Sequence, residues 1–225
     1  KATDNGGKVM ISDPVSMIVD LPTVGGPAQA NVTATVFRGD YGSLGESGRF
    51  ALAVNRNNRG TFVGYAMSPT GSSYFWNDIP MNPDGTFSVR NAANEVVLSG
   101  QTSATGVSGT FGDRTFIGPI TPSTGAFAPL LVTGSVAGVA GSQIIAIVGG
   151  DSSVTLYAAS GASRVVGAAM LSSTGAYTIT APTGGGFSGM VANSASIVSG
   201  SVSGNLAGTF LLRPQASRIT NISTR

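Results

Sequence analysis

Between turn signals of Gly, Asn, Asp, Ser and Pro, short apolar runs alternate with polar positions at a period of two, and no stretch carries the 3.6-residue period of an amphipathic helix. This pattern predicts an all-β chain, with strands over 49–55, 61–67, 73–80, 86–90, 95–101 and 107–111. Turns are expected at Asn57-Asn58-Arg59-Gly60, Pro69-Thr70-Gly71 and Pro83-Asp84-Gly85. In the last two, proline presets φ at the first corner and glycine supplies the φ > 0 position.

The second half of the chain repeats the first. Arg49-Phe50-Ala51-Leu52-Ala53-Val54 followed by Gly60-Thr61-Phe62-Val63-Gly64-Tyr65 matches Gln143-Ile144-Ile145-Ala146-Ile147-Val148 followed by Val154-Thr155-Leu156-Tyr157. Further on, Asp84-Gly85-Thr86-Phe87 matches Thr174-Gly175-Ala176-Tyr177, Leu98-Ser99-Gly100 matches Val198-Ser199-Gly200, and Gly109-Thr110-Phe111 matches Gly208-Thr209-Phe210. A tandem duplication accounts for the common order. The expected architecture is a duplicated antiparallel meander of about six short strands per copy, closing as a barrel or facing as a sandwich. The duplicated domain is expected over 28–214, with copies at about 49–112 and 143–211 joined by one further hairpin over 116–132. Residues 1–27 read as a strand and linker, and 215–225 as a connector strand.

Within the leading segment, Val15, Met17, Val19 and Leu21 fall on one face of a strand cut off by Pro22 and the Gly25-Gly26-Pro27 joint. A tethered amphipathic strand either pairs within its own fold or is donated to a neighbouring subunit by β-augmentation, which makes these four residues the candidate subunit contacts.

Charge sharpens this reading. Only 10% of the 225 residues are charged, and 17 of the 22 charges precede Thr115, leaving the second half almost neutral. A surface so poor in charge resists self-association weakly. With a net charge of +2 and no cluster of Lys and Arg, nucleic acid is not an expected partner. No apolar run is long enough for a helical membrane span, and no basic-then-apolar leader opens the sequence given.

Histidine and cysteine are both absent, which removes the commonest general base, the thiol nucleophile and the Cys/His zinc site. No pair of carboxylates stands out by spacing, and Asp84, Asp113 and Asp151 sit beside turn glycines, where aspartate caps its own backbone. The expectation is therefore no enzyme, no catalytic residues, no metal and no cofactor. The one cluster suited to a ligand is Tyr74-Phe75-Trp76-Asn77-Asp78, which holds the single tryptophan. On a strand Phe75 faces away from Tyr74 and Trp76, so Tyr74, Trp76, Asn77 and Asp78 are the candidates for stacking on a glycan, unless that face is core.

Tyr41-Gly42-Ser43-Leu44, then Gly48-Arg49-Phe50-Ala51-Leu52-Ala53-Val54 and Arg59-Gly60-Thr61-Phe62-Val63-Gly64-Tyr65, resemble the C-terminal β-rich modules of large exported surface proteins of environmental Gram-negative bacteria. Arg218-Ile219-Thr220-Asn221-Ile222-Ser223-Thr224-Arg225 is similar to the R-[LIV]-x-N-[LI]-S-T-R segment that follows such modules. The resemblance spans about residues 38–225, a single-domain length, and implies export and display at the cell surface, with no activity and no catalytic residues to carry over. The functional expectation is a secreted or cell-surface structural subunit of a filament, sheath or surface layer, joined by strand exchange to copies of itself or to adjacent modules. A carbohydrate-binding or adhesive module is the alternative.

Overall fold

The computed structural model describes residues 34–68, 72–122, 126–182, 184–192 and 196–214, and the backbone pairing of two short strands, β1 (Ala2–Thr3) and β2 (Val9–Met10). The expected contacts Val15, Met17, Val19 and Leu21 and the connector 215–225 lie outside the described residues.

The chain is all-β and antiparallel, and no helix occurs among the described residues. Eight strands form the first unit: β3 (Ala34–Gly42), β4 (Ser47–Asn55), β5 (Arg59–Ala66), β6 (Ser73–Pro80), β7 (Thr86–Arg90), β8 (Val96–Thr102), β9 (Gly106–Phe111) and β10 (Arg114–Pro119). Each pairs with the next except β6 with β7, and β10 returns to pair with β3, Phe116 opposite Tyr41. Across the remaining seam runs the isolated bridge Met81–Phe87. The sheet is thus a nearly closed barrel with a single seam.

The second unit repeats this meander as two four-stranded sheets. One holds β11 (Leu130–Gly134), β12 (Gln143–Val148), β13 (Ser153–Ser160) and β14 (Ser163–Met170). The other holds β15 (Ala176–Thr180), β16 (Gly186–Ala192), β17 (Ile197–Ser203) and β18 (Gly208–Leu212). Eight strands per unit replace the expected six. The expected hairpin over 116–132 is absent, because β10 is drawn into the first barrel by β3 and β9 while β11 pairs with β12 in the second unit.

Laid strand on strand, the matches of β4 with β12, β5 with β13 and β7 with β15 fall at the same place in both meanders. The other two slip by one strand: Leu98-Ser99-Gly100 is on the sixth strand of its unit, Val198-Ser199-Gly200 on the seventh. By position, Phe187-Ser188-Gly189 answers the former and Val107-Ser108-Gly109 the latter. Neighbouring strands carry the same Ser-Gly step, so the pattern alone hides the slip. The step has a packing cause: Gly100 lies opposite Gly109 and Gly189 opposite Gly200, and a Cβ at any of the four would strike both the facing strand's backbone and an aromatic side chain, Phe87 at Gly100, Phe116 at Gly109 and Tyr177 at the other two. A Cβ on Gly189 or Gly200 would meet the Tyr177 hydroxyl at 2.6 or 2.8 Å, and one on Gly100 the Phe87 ring at 2.7 Å.

The turn between the fourth and fifth strands is also shared. Gly85 (φ 83°) and Gly175 (φ 87°) hold the left-handed conformation that favours glycine. The Gly85 amide donates to the Asn82 carbonyl and the Gly175 amide to the Ser172 carbonyl, both at 2.9 Å.

Alternation along the strands sorts side chains into three buried clusters. Phe37, Phe50, Leu52, Phe62, Phe111 and Phe116 fill the first barrel. Ile144, Ala146, Val154, Leu156, Phe187 and Phe210 belong to the core of the second unit. The residues between them on β4, β5, β12 and β13 face outward and are equally buried, because the two units pack there: Ala51, Ala53, Val63 and Tyr65 lie in one cluster with Ile145, Ile147, Tyr157 and Val166. At its margins the Arg38 guanidinium lies 3.3 Å from the Asp151 carboxylate, and the Phe75 and Tyr157 rings stack with centroids 4.6 Å apart.

This arrangement predicts that Ile147→Asp, which buries an unpaired carboxylate between the units, lowers stability by more than about 3 kcal/mol in urea unfolding. Thr209→Asp, on an exposed strand face, changes it by less than about 0.5 kcal/mol.

Candidate functional site

Strand β6 carries the cluster singled out in the sequence, and its alternation splits the aromatics between two faces. Phe75 points toward the second unit, whereas Tyr74 and Trp76 point into the first barrel. There the Tyr74 ring lies 4.8 Å from Phe111 and 5.8 Å from Tyr41, and Trp76 lies 5.6 Å from Phe62 and 5.7 Å from Phe111. Both side chains are partly buried against the aromatic core.

Asn77 and Asp78 form a β-bulge, two residues facing Thr61 alone between the pairs Phe62–Trp76 and Gly60–Ile79. Asp78 takes φ 59°, a left-handed conformation that aspartate and asparagine tolerate better than most residues. Its carboxylate receives two bonds from Arg59, Nε at 2.6 Å and a terminal nitrogen at 2.5 Å, which hold its pKa below the ordinary value. The Asn77 amide oxygen accepts from the Thr61 hydroxyl at 2.7 Å. The expected stacking group is thereby divided into two inward rings and two residues that shape an edge strand. Aspartates read as turn formers also act locally: Asp84 accepts from the Thr86 amide at 3.0 Å and Asp151 from the Ser153 amide at 3.2 Å.

Polar groups converge instead at one end of the first barrel. Glu46, in the turn between β3 and β4, accepts on Oε1 from the Tyr74 hydroxyl at 2.7 Å, Arg114 Nε at 3.0 Å and the Tyr41 hydroxyl at 3.2 Å. Its other oxygen takes the Ser72 amide at 3.3 Å. Arg114 also donates to Asp113 at 2.6 Å and lies over the Tyr74 ring, 5.1 Å from its centroid. Burial pushes the Glu46 pKa up, but the bonds from Tyr74, Arg114 and the Ser72 amide outweigh it and leave the group below its ordinary value of 4.5. Burial, and next the Glu46 charge, push the Tyr41 hydroxyl far up, so it stays protonated.

Three strands and a turn meet here. Glu46 joins the edge strand β6 through Tyr74 to β3 through Tyr41 and to β10 through Arg114. It therefore acts as a clasp across the barrel mouth, on the side where β6 has no partner strand beyond it. Nothing in the sequence pattern singles out Glu46, Tyr41 or Arg114 for this role. Separations of 28 residues to Tyr74 and 68 to Arg114 leave no local signal. The second unit lacks the equivalents: Tyr74 and Trp76 correspond to Val165 and Gly167, the residues opposite Ala158 and Leu156 as Tyr74 and Trp76 are opposite Gly64 and Phe62.

Among the described residues no group of three or more acidic side chains is placed to hold a metal ion, and no helix is long and apolar enough to cross a membrane. No protein-family model, curated protein or solved structure matches the chain.

Two expectations follow. Glu46→Gln lowers stability at pH 7 by about 1–2 kcal/mol. Because the folded pKa of Glu46 is depressed, its contribution is complete above pH 4.5 and is lost as pH falls through the folded value. The gap between wild type and variant therefore narrows in urea titrations at pH 3. Trp76→Ala removes a ring packed on Phe62 and Phe111 and lowers stability by about 3 kcal/mol, read from the urea midpoint by circular dichroism.

Proposed function

We propose that the chain is a structural subunit of an extracellular bacterial filament, sheath or surface layer, its copies joined by β-strand exchange through Val15, Met17, Val19 and Leu21. The observation that carries this reading is the outward face of the second unit. Across β15–β18, Thr178, Ser188, Ser201 and Thr209 stand in one row, and Ala176, Met190, Ser199 and Leu211 in the next. These four strands contain no charged residue, and Met190 and Leu211 are 48% and 56% exposed. Soluble monomers rely on interspersed charge to keep such faces apart. A subunit meant to be surrounded by others does not need it.

The rest of the architecture is consistent with a load-bearing block. Both interiors are packed with side chains, and the polar groups of the Glu46 clasp satisfy one another. The glycan-binding alternative gains no support from Tyr74 and Trp76, whose rings pack inward.

Electron microscopy and light scattering of the full chain, beside the full chain carrying Val19→Asp, test this reading. Filaments or sheets that the substitution abolishes are expected. A wild-type chain that stays monomeric at millimolar concentration overturns it.

A further inference from the structure

Strand β6 is the last strand on its side of the first barrel, so a ladder holds it on one side only, along β5. That ladder is uneven. The Asn77–Asp78 bulge breaks it between Trp76 and Ile79 and marks off the first half of the strand, Ser73–Trp76. Within that half Tyr74 lies opposite Gly64, which offers no side chain for a cross-strand pair.

The two ends of the seam between β6 and β7 are secured differently. Just past Pro80 the main chain closes it: Met81 bridges to Phe87, the Asn82 amide donates to the Thr86 carbonyl at 2.8 Å, and the Asn82 side-chain amide reaches the Thr86 hydroxyl at 2.9 Å. At the Ser73 end no backbone bridge to β7 forms among the described residues. There Glu46 holds the strand, through the Tyr74 hydroxyl and the Ser72 amide. The first half of β6 thus has the parts of a flap: a bulge for a hinge, one long side without a ladder, and a single carboxylate as its fastening.

The fastening depends on charge. Around Glu46 stand Tyr41 from β3, Tyr74 from β6, Arg114 at the start of β10 and, beyond Arg114, Asp113 in the turn before it. Arg114 and the Ser72 amide can only donate, so the site needs an acceptor at its centre. Both tyrosine hydroxyls are raised above their ordinary value, chiefly by burial, and stay protonated through neutral and acid pH. Protonating Glu46 therefore puts a donor among donors and leaves Arg114 to Asp113. Burial raises the Glu46 pKa, but the bonds from Tyr74, Arg114 and the Ser72 amide bring it below 4.5. The fastening is complete above that pH and is lost as pH falls through the folded value.

We propose that Ser73–Trp76 is a flap hinged at the Asn77–Asp78 bulge, that Glu46 latches it, and that acid releases it while the rest of the barrel stays folded. Opening turns Tyr74 and Trp76 away from Phe62 and Phe111 and uncovers aromatic surface at the barrel mouth. Segments with few paired backbone groups open at lower free energy than the ladders around them, which lets this one move alone. The second unit has no counterpart, since Val165 and Gly167 stand at the places of Tyr74 and Trp76.

Trp76 is the single tryptophan, so its fluorescence reports on the flap. Acrylamide quenching of the dilute full chain from pH 7 to pH 2.5, with far-UV circular dichroism in parallel, tests the proposal. For wild type the expected result is a rise in quenching of at least about twofold in acid, before the strand signal changes. Glu46→Gln has no charge to lose and shows no such rise. Tyr74→Phe, which cuts the strand from its latch, is as quenched at pH 7 as wild type is in acid. Asp78→Asn removes the carboxylate at the hinge, bonded to Arg59, and keeps the acid response. Quenching that stays constant in acid, or rises only together with loss of the strand signal, overturns the flap. An acid response that survives in Glu46→Gln or disappears in Asp78→Asn overturns Glu46 as the latch, as does a Tyr74→Phe chain no more quenched than wild type at pH 7.

Discussion

The burial of one sheet's outer face against another's is the interaction on which the molecule depends. Strands β4, β5, β12 and β13 are apolar on both sides: the Phe50 and Leu52 side feeds one core, Ile144 and Ala146 another, and Ala51, Ala53, Ile145 and Ile147 the layer between. A barrel wall whose outer side faces water reads as apolar-polar alternation, whereas a wall covered on both sides reads as a continuous apolar run. Phe50-Ala51-Leu52-Ala53-Val54 and Ile144-Ile145-Ala146-Ile147-Val148 are such runs. They commit the first half of each meander to the interface and leave β7–β10 and β15–β18 as the walls outside it.

Much of the fold could be read from the sequence because the cause was local. The strand at 73–80 and that at 86–90 were expected where they occur, since proline and glycine at 83–85 dictate the turn between them. Non-local pairing was what escaped. Strand β10 ends the first barrel because it meets β3, about 75 residues earlier, and nothing within 116–132 announces that partner. The one-strand slip in the repeat arose in the same way, since close packing of facing glycines under Phe87 and Phe116 in one unit and Tyr177 in the other imposes the same Ser-Gly step on adjacent strands. At the polar clasp the gap was wider still. The role of Glu46 comes from Tyr74 and Arg114, brought to it only by closure of the barrel.

The two copies solve one geometric problem differently. At the corner where the fourth and fifth strands part, the first unit fills the interior with Trp76 and secures its edge with a bulge, an ion pair and the Glu46 clasp. The second places Gly167 at the matching position and lets Ile179 close down on it. Large-to-small replacement at a facing pair conserves packing while changing how the sheets meet. One result is an edge guarded by charge and proline, the other an edge covered by the next strand.

Because like strands face like strands, the layer between the units has the form of an isologous contact, the kind made by two identical subunits about a two-fold axis. A free-standing single repeat would expose the whole of that layer and would have to find a second molecule to cover it. Covalent joining turns that encounter into an internal one at an effective concentration in the millimolar range, so the contact stays filled however dilute the chain becomes. Symmetry is then no longer required of the halves. One is free to accumulate aromatic rings and a partly buried ion pair while the other sheds its charges, a divergence that a symmetric dimer of identical chains could not undergo.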